Sequence, residues 1–246
     1  MEAGAIGAGA VELPPAGISA WRQLFTIVKK DVVSELRTKE MLLSMFLFAV
    51  LAMVVFHFAF SVRANTDLTY FTGGMLWVTF IFGALLGLNR SFVHEKDEGC
   101  LDGLLLCPVD RVTIFLAKMT GNLVFLLVIQ ALAVPIFSLF FVKTNYLADL
   151  PAFIAVLLLA DIGVCAVGTL LATISMNTKA RDLLLPIVFL PLIIPVLIAA
   201  TSATTGIFAQ TTTSFGALGA RLGFLAAYDA IFVLAAYGTY DYAIGE

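Results

Sequence analysis

The sequence predicts an all-α integral membrane protein: six transmembrane helices preceded by an amphipathic helix lying at the membrane interface. Three observations carry this prediction. The mean hydropathy is +1.03 and only 13% of the 246 residues are charged, against about 25% in a soluble domain. Six predominantly apolar runs, roughly 41–62, 70–89, 112–142, 152–175, 183–205 and 222–240, match the length that crosses a hydrocarbon core. Their apolarity is continuous rather than alternating, which selects helices over barrel strands. One membrane domain over 18–246 therefore accounts for nearly the whole chain.

Residues 1–17 are rich in Ala, Gly and Pro and hold no basic residue, so they read as a flexible tail and not as a signal peptide. Gly4, Gly7 and Gly9 do not form a dinucleotide fingerprint. Over 19–38, Trp21, Leu24, Phe25, Val28, Val32 and Leu36 recur at helical spacing, with Arg22, Lys29, Lys30, Glu35 and Arg37 between them. This pattern suits a helix in the interface plane, with Trp21 at headgroup depth.

The third run is 31 residues long and would reach about 46 Å, more than the hydrocarbon core. Lys118 then marks its aqueous boundary, leaving 119–142 in the membrane. Asp110 is placed to cap its start, Pro108 blocks continuity upstream, and Pro135 is expected to kink its far half. The fifth run carries Pro186, Pro191 and Pro195, which implies a flexing helix or a static bend. The stretch from Thr201 to Ser214 reads as a short re-entrant or surface hairpin.

Placing the N-terminus in the cytoplasm puts Arg22, Lys29, Lys30, Arg37, Lys39, Arg90, Lys96, Arg111, Lys118, Lys179 and Arg181 on the inner side. Only Arg63, Lys143 and Arg221 fall outside. Eleven against three is a strong positive-inside bias, and six spans return the C-terminus to the cytoplasm. Asn89-Arg-Ser91 is then a cytoplasmic sequon and not a glycosylation site.

Intramembrane polar residues are the first candidates for function, because such groups are costly in lipid and face protein or water. They are His57 in the first run, Asn122 and Gln130 in the third, Asp161 in the fourth and Asp229 in the sixth. Interhelical hydrogen bonding accounts for them as well as a transport path does. His57 has no companion His or Met pattern to suggest haem ligation. Cys100, Cys107 and Cys165 are neither a zinc pattern nor a disulfide framework. Gly163–Gly168 lacks the phosphate-binding Lys of a P-loop, and no HExxH or GxSxG occurs. The reading is a non-catalytic subunit with no metal and no resident cofactor. A net charge of −3 gives no reason to expect a nucleic-acid partner.

A charged island, Glu95 to Pro108, separates the second and third runs on the cytoplasmic side. Glu95, Asp97, Glu98 and Asp102 favour the start of a short helix. Leu101, Leu104 and Leu105 would form one apolar stripe on it. Such a helix suits a partner's groove; lying on lipid is the alternative, which its acidity opposes.

These residues resemble the membrane subunit of type-2 ABC exporters, with an interfacial helix, six spans and an E-x-G-x-L-x-x-L-L-x-x-P element after span two. Here Glu98 and Gly99 are adjacent, followed by Leu101, Leu104, Leu105 and Pro108, with Cys100-Leu-Asp102 where Thr or Ser and then Leu-Glu are common. A closer resemblance is to the CcmB family of haem exporters. It rests on Lys30-Asp-Val-Val-Ser-Glu-Leu-Arg37, Leu76-Trp-Val-Thr-Phe80 and Leu85-Leu-Gly-Leu-Asn-Arg-Ser-Phe92. Further blocks are Pro108-Val-Asp-Arg111, Leu190–Thr201, Tyr228-Asp229 and Asp241-Tyr242. The resemblance implies an inner-membrane location and a separate CcmA-like ATPase that uses ATP and docks on Glu95–Pro108. It also implies CcmC-like and CcmD-like membrane partners, delivery of haem as cargo to the chaperone CcmE, and a homodimer as one assembly. Two alternatives stay open: a type-2 permease for a drug, lipid or polysaccharide, and a non-transporting scaffold of the haem-handling complex.

Overall fold

The computed structural model describes residues 19–61, 68–97, 110–142, 144–175, 181–210 and 215–244. Every regular element among these is helical. The long helices are Ala20–Thr38 (α1), Glu40–Ser61 (α2), Thr69–Asp97 (α3), Arg111–Phe141 (α4), Leu150–Ser175 (α5), Arg181–Phe208 (α6) and Phe215–Ile244 (α7), with a 3₁₀ turn at Tyr146–Asp149 before α5. Six of them, α2 to α7, are long and apolar enough to cross a membrane. The chain is an all-α integral membrane protein.

The core forms around α5, which is buried on every side from Gly163 to Thr169. A helix apolar and buried all round belongs at the centre of a bundle, and its small residues let neighbours approach closely. A Cβ on Gly168 would run into the Leu88 side chain of α3. One on Gly163 would stand 2.7 Å from Asp229 Oδ1 and 3.4 Å from the Tyr228 ring, both on α7. Helices α3, α4, α6 and α7 therefore surround α5, and α2 packs outside on α3 and α4.

On α6 the buried residues Leu185, Phe189, Ile193, Val196, Ala200, Ala203 and Ile207 form one stripe at helical spacing. Pro191 and Pro195 lie exposed on the opposite face, so the helix runs unbroken through them. The Tyr228 hydroxyl donates to the Leu192 carbonyl at 2.7 Å, next to the carbonyl of Pro191, whose donor Pro195 removes. Helix α4 likewise continues past Pro135 to Phe141.

Two expectations are corrected. The Thr-rich stretch does not turn back at Thr201: α6 holds Thr201, Thr204 and Thr205 and ends at Phe208, with Gln210 in the left-handed region at φ 52°. The reason is that Ala203, Ile207 and Phe208 extend the buried stripe. Trp77 Nε1 on α3 also donates to Thr204 Oγ1 at 3.0 Å inside the core. Second, Glu95 and Asp97 do not begin a new helix; they end α3, since no Gly or Pro interrupts Ser91 to Asp97.

Helix α1 is joined to α2 by a tight corner. Lys39 takes a left-handed φ of 58°, and Glu35 Oε1 accepts the Met41 and Leu42 N–H groups at 2.9 and 3.0 Å. That carboxylate satisfies two of the free donors at the start of α2. Only Ile27 of α1 is buried, while Trp21 and Phe25 stand exposed at 79% and 67%. Helix α1 is held to α4 by Asp31, whose Oδ2 pairs with Lys118 Nζ at 2.7 Å. Asp110 sits at the N-cap position of α4 with extended backbone, but its side chain makes no capping bond.

At the opposite end of the bundle, Thr144 Oγ1 donates to the Phe208 carbonyl at 2.6 Å, and Gln210 Nε2 donates to the Asn145 carbonyl at 3.2 Å. Tyr146, Phe153 and Phe208 pack their rings 5.4–5.9 Å apart there.

Gly168→Leu forces α3 away from α5, and a loss of about 1–3 kcal/mol is expected, read as a lower unfolding midpoint in detergent. Breaking the largely buried Asp31–Lys118 pair from one side costs up to roughly 3–5 kcal/mol. Asp31→Asn should therefore destabilise more than the double change Asp31→Asn with Lys118→Met, measured by the same unfolding assay.

Candidate functional site

The polar interior is built on a single stripe of α5. Asp161, Cys165, Thr169 and Thr173 follow each other at intervals of four and are all buried. Helix α4 runs antiparallel to it with Asn122 and Gln130 eight residues apart, so two rungs meet in one register. Asn122 Nδ2 donates to Thr169 Oγ1 at 3.2 Å. Gln130 Nε2 donates to Asp161 Oδ1 at 2.8 Å. Thr173 Oγ1 donates to the Thr169 carbonyl at 2.9 Å.

Asp161 is fully buried and Gln130 is 2% exposed. Asp229 on α7 comes against α5 from a different direction, its Oδ1 facing Gly163. Three oxygens of this seam, Gln130 Oε1, Asp161 Oδ2 and Asp229 Oδ1, have no hydrogen-bond partner. Unmet buried acceptors cost about 1–3 kcal/mol each, and these three sit where α4 and α7 meet α5. The space beside it, between Met45, Leu88, Asn122, Leu126 and Cys165, has a volume of only about 10 Å³, at the lower limit for one water.

His57 is not part of this seam. It lies half-buried on α2 with its ring 5.1–6.1 Å from those of Phe58, Phe140 and Phe141. Among the described residues no group of three or more His, Cys, Asp or Glu could hold a metal ion.

The second polar region lies at the end of the bundle that carries α1. Besides the Asp31–Lys118 pair, Arg90 on α3 pairs with Glu40 in the first turn of α2. Glu95 lies on the last turns of α3, while Glu98, Gly99, Leu101, Asp102, Leu104, Leu105 and Pro108 fall outside the described residues. The helices on either side of that segment, α3 and α4, are thus tied by ion pairs to α2 and α1.

Sequence reasoning named Asn122, Gln130, Asp161 and Asp229 but not their partners. Thr169 and Thr204 carry no local signal, since threonine inside a helix usually bonds its own backbone. Lys118 did carry one: a cation inside an apolar run needs a counter-charge, and Asp31 on the amphipathic helix was available.

The fold and its polar interior define a polytopic helical membrane protein with paired polar groups between its spans. The family described as CcmB protein matches residues 22–239, and the chain belongs to that family. It is 31% identical over 130 residues to a protein named heme exporter protein B from Rhodobacter capsulatus, covering 51% of this chain and 56% of that one. Proteins of the same name from Pseudomonas aeruginosa and Paracoccus denitrificans are each 28% identical over 130 residues, covering 53% of this chain and 57% and 59% of theirs. The matched region thus spans somewhat over half the length of these relatives. Family membership and the six long apolar helices make the chain a multi-pass membrane protein of the CcmB family.

Gln130→Leu leaves Asp161 without its donor and should cost about 1–3 kcal/mol. The double change Gln130→Leu with Asp161→Leu should cost less than Asp161→Leu and Gln130→Leu summed. A double-mutant cycle of unfolding midpoints checks this.

Proposed function

We propose that the chain is the permease subunit of an ABC transporter that handles haem during cytochrome c maturation, powered by a separate ATPase. The carrying observation is the arrangement at the α1 end. The acidic, leucine-bearing segment Glu95–Pro108 joins two helices that are each ion-paired to a neighbour. A push on that segment is passed to α3 and α4, and through Lys118 to α1. The sequence has no phosphate-binding loop, which supports a CcmA-like partner as the source of ATP hydrolysis. The lysine and arginine bias supports an inner membrane with both termini in the cytoplasm. CcmC-like and CcmD-like proteins are the expected membrane partners, and a CcmE-like chaperone the recipient of haem. In this reading Glu95, Glu98, Gly99, Leu101, Asp102, Leu104, Leu105 and Pro108 couple the two subunits.

One observation favours a second reading. The space beside the seam between α4 and α5, among Met45, Leu88, Asn122 and Cys165, has room for about one water. A scaffold that rearranges its complex on ATP hydrolysis, without passing cargo through this chain's interior, fits that packing.

Leu104→Asp should reduce copurification of the ATPase by tenfold or more, and should fail to restore cytochrome c formation in a strain lacking its own CcmB. Undiminished copurification would remove the docking role. Robust haem flux in vesicles holding the whole complex would count against the scaffold reading.

A further inference from the structure

At the end of the bundle remote from α1, a cleft of about 720 Å³ opens between α3, α6 and α7, within the range of small-molecule sites. Its walls are sorted by depth. Val78 and Ile198 line the end nearer the bundle's middle. Thr201, Ser202 and Arg221 form the next level, and Tyr70 stands at the mouth in the first turn of α3. Tyr70 and Ile198 are 67% and 63% exposed, so the cleft is open sideways, towards where lipid would be.

Arg221 fixes the chemistry. Its Nη1 donates to the Ser202 carbonyl at 3.2 Å, and no carboxylate pairs with it among the described residues. A guanidinium has five N–H donors, and a cation at this depth calls for an anion or for water. The hydroxyl-bearing Thr201 and Ser202 on the facing wall add polar capacity at the same level. Thr205, which also lines the cleft, has a buried Oγ1 with no partner, set against Gly73 of α3, where a Cβ would run into it.

We propose that this cleft is a binding site for an anionic phospholipid. The headgroup phosphate is held by Arg221, with Thr201 and Ser202 beside it, and an acyl chain lies along Val78 and Ile198. The polar level and the apolar depth follow the polarity gradient of a bilayer leaflet, and a tyrosine at the mouth suits the headgroup boundary. Charge selects an anionic head over a zwitterionic one. The described lining has no His, Cys or Met, and Tyr70, the one residue in it of a type that can ligate haem iron, stands at the mouth and away from Arg221's level. The assignment requires only that the bundle crosses a bilayer, not that haem is the cargo.

The test uses the full chain in detergent with equal amounts of phosphatidylglycerol and phosphatidylcholine, and counts retained lipid by native mass spectrometry. The expected result is a roughly tenfold preference for phosphatidylglycerol, about 1.4 kcal/mol, as one charge-assisted contact supplies. Arg221→Lys should keep most of that preference and Arg221→Gln should abolish it. Ile198→Trp, which fills the apolar depth, should lower retention of both lipids. Equal retention by the wild-type chain, or an unchanged preference in Arg221→Gln, would overturn the proposal. So would displacement of the retained phosphatidylglycerol by one equivalent of protoporphyrin, which would assign the cleft to cargo.

Discussion

The bundle depends on the complete burial of α5. A helix carrying Asp161, Thr169 and Thr173 cannot face hydrocarbon, where each unmet polar group is costly. It must be enclosed by other helices, and Gly163 and Gly168 allow this by letting α7 and α3 come close. In a membrane this close approach replaces the hydrophobic drive that packs soluble cores. The antiparallel register of α4 follows from it, since Asn122 and Gln130 find partners only when they meet Thr169 and Asp161 together. The outer positions of α2 and α7, whose apolar faces are largely exposed, are what remains once α5 is enclosed.

The two ends of the bundle are fastened by different chemistry. At the α1 end the links are ionic: Asp31 with Lys118 and Glu40 with Arg90, reinforced by the Glu35 cap. At the other end they are neutral hydrogen bonds from Thr144 and Gln210 and an aromatic cluster around Phe208. Ion pairs connect helices through charge and can re-form after a shift, whereas the aromatic cluster depends on close packing.

Much of the architecture was legible because a bilayer leaves few choices. Continuous apolar runs can satisfy their backbone only as helices, and the helical spacing of Trp21 to Leu36 matches the helix Ala20–Thr38. Polar residues in those runs could be named for the same reason: Asp161 and Gln130 stand out against leucine and valine. Legibility failed where the deciding contact was remote. The Thr-rich end of α6 read as a turn because threonine favours turns locally. It is helical because Trp77, more than a hundred residues away, and the buried stripe through Ile207 hold it so. The acids at Glu95 and Asp97 read as a helix start by charge, yet no breaking residue separates them from α3.

By itself the sequence determined the class of the protein, the number of spans and which residues would be expensive to bury, because those follow from transfer energies residue by residue. Tertiary structure alone decided that α5 is the centre, that Gln130 meets Asp161 while Asp229 meets Gly163, and that Lys118 is held by Asp31. It also decided that Arg221 opens onto a cleft. Those outcomes depend on the rotation and register of each helix. Apolar surface all round a span leaves both undetermined until close packing and paired polar groups select one arrangement.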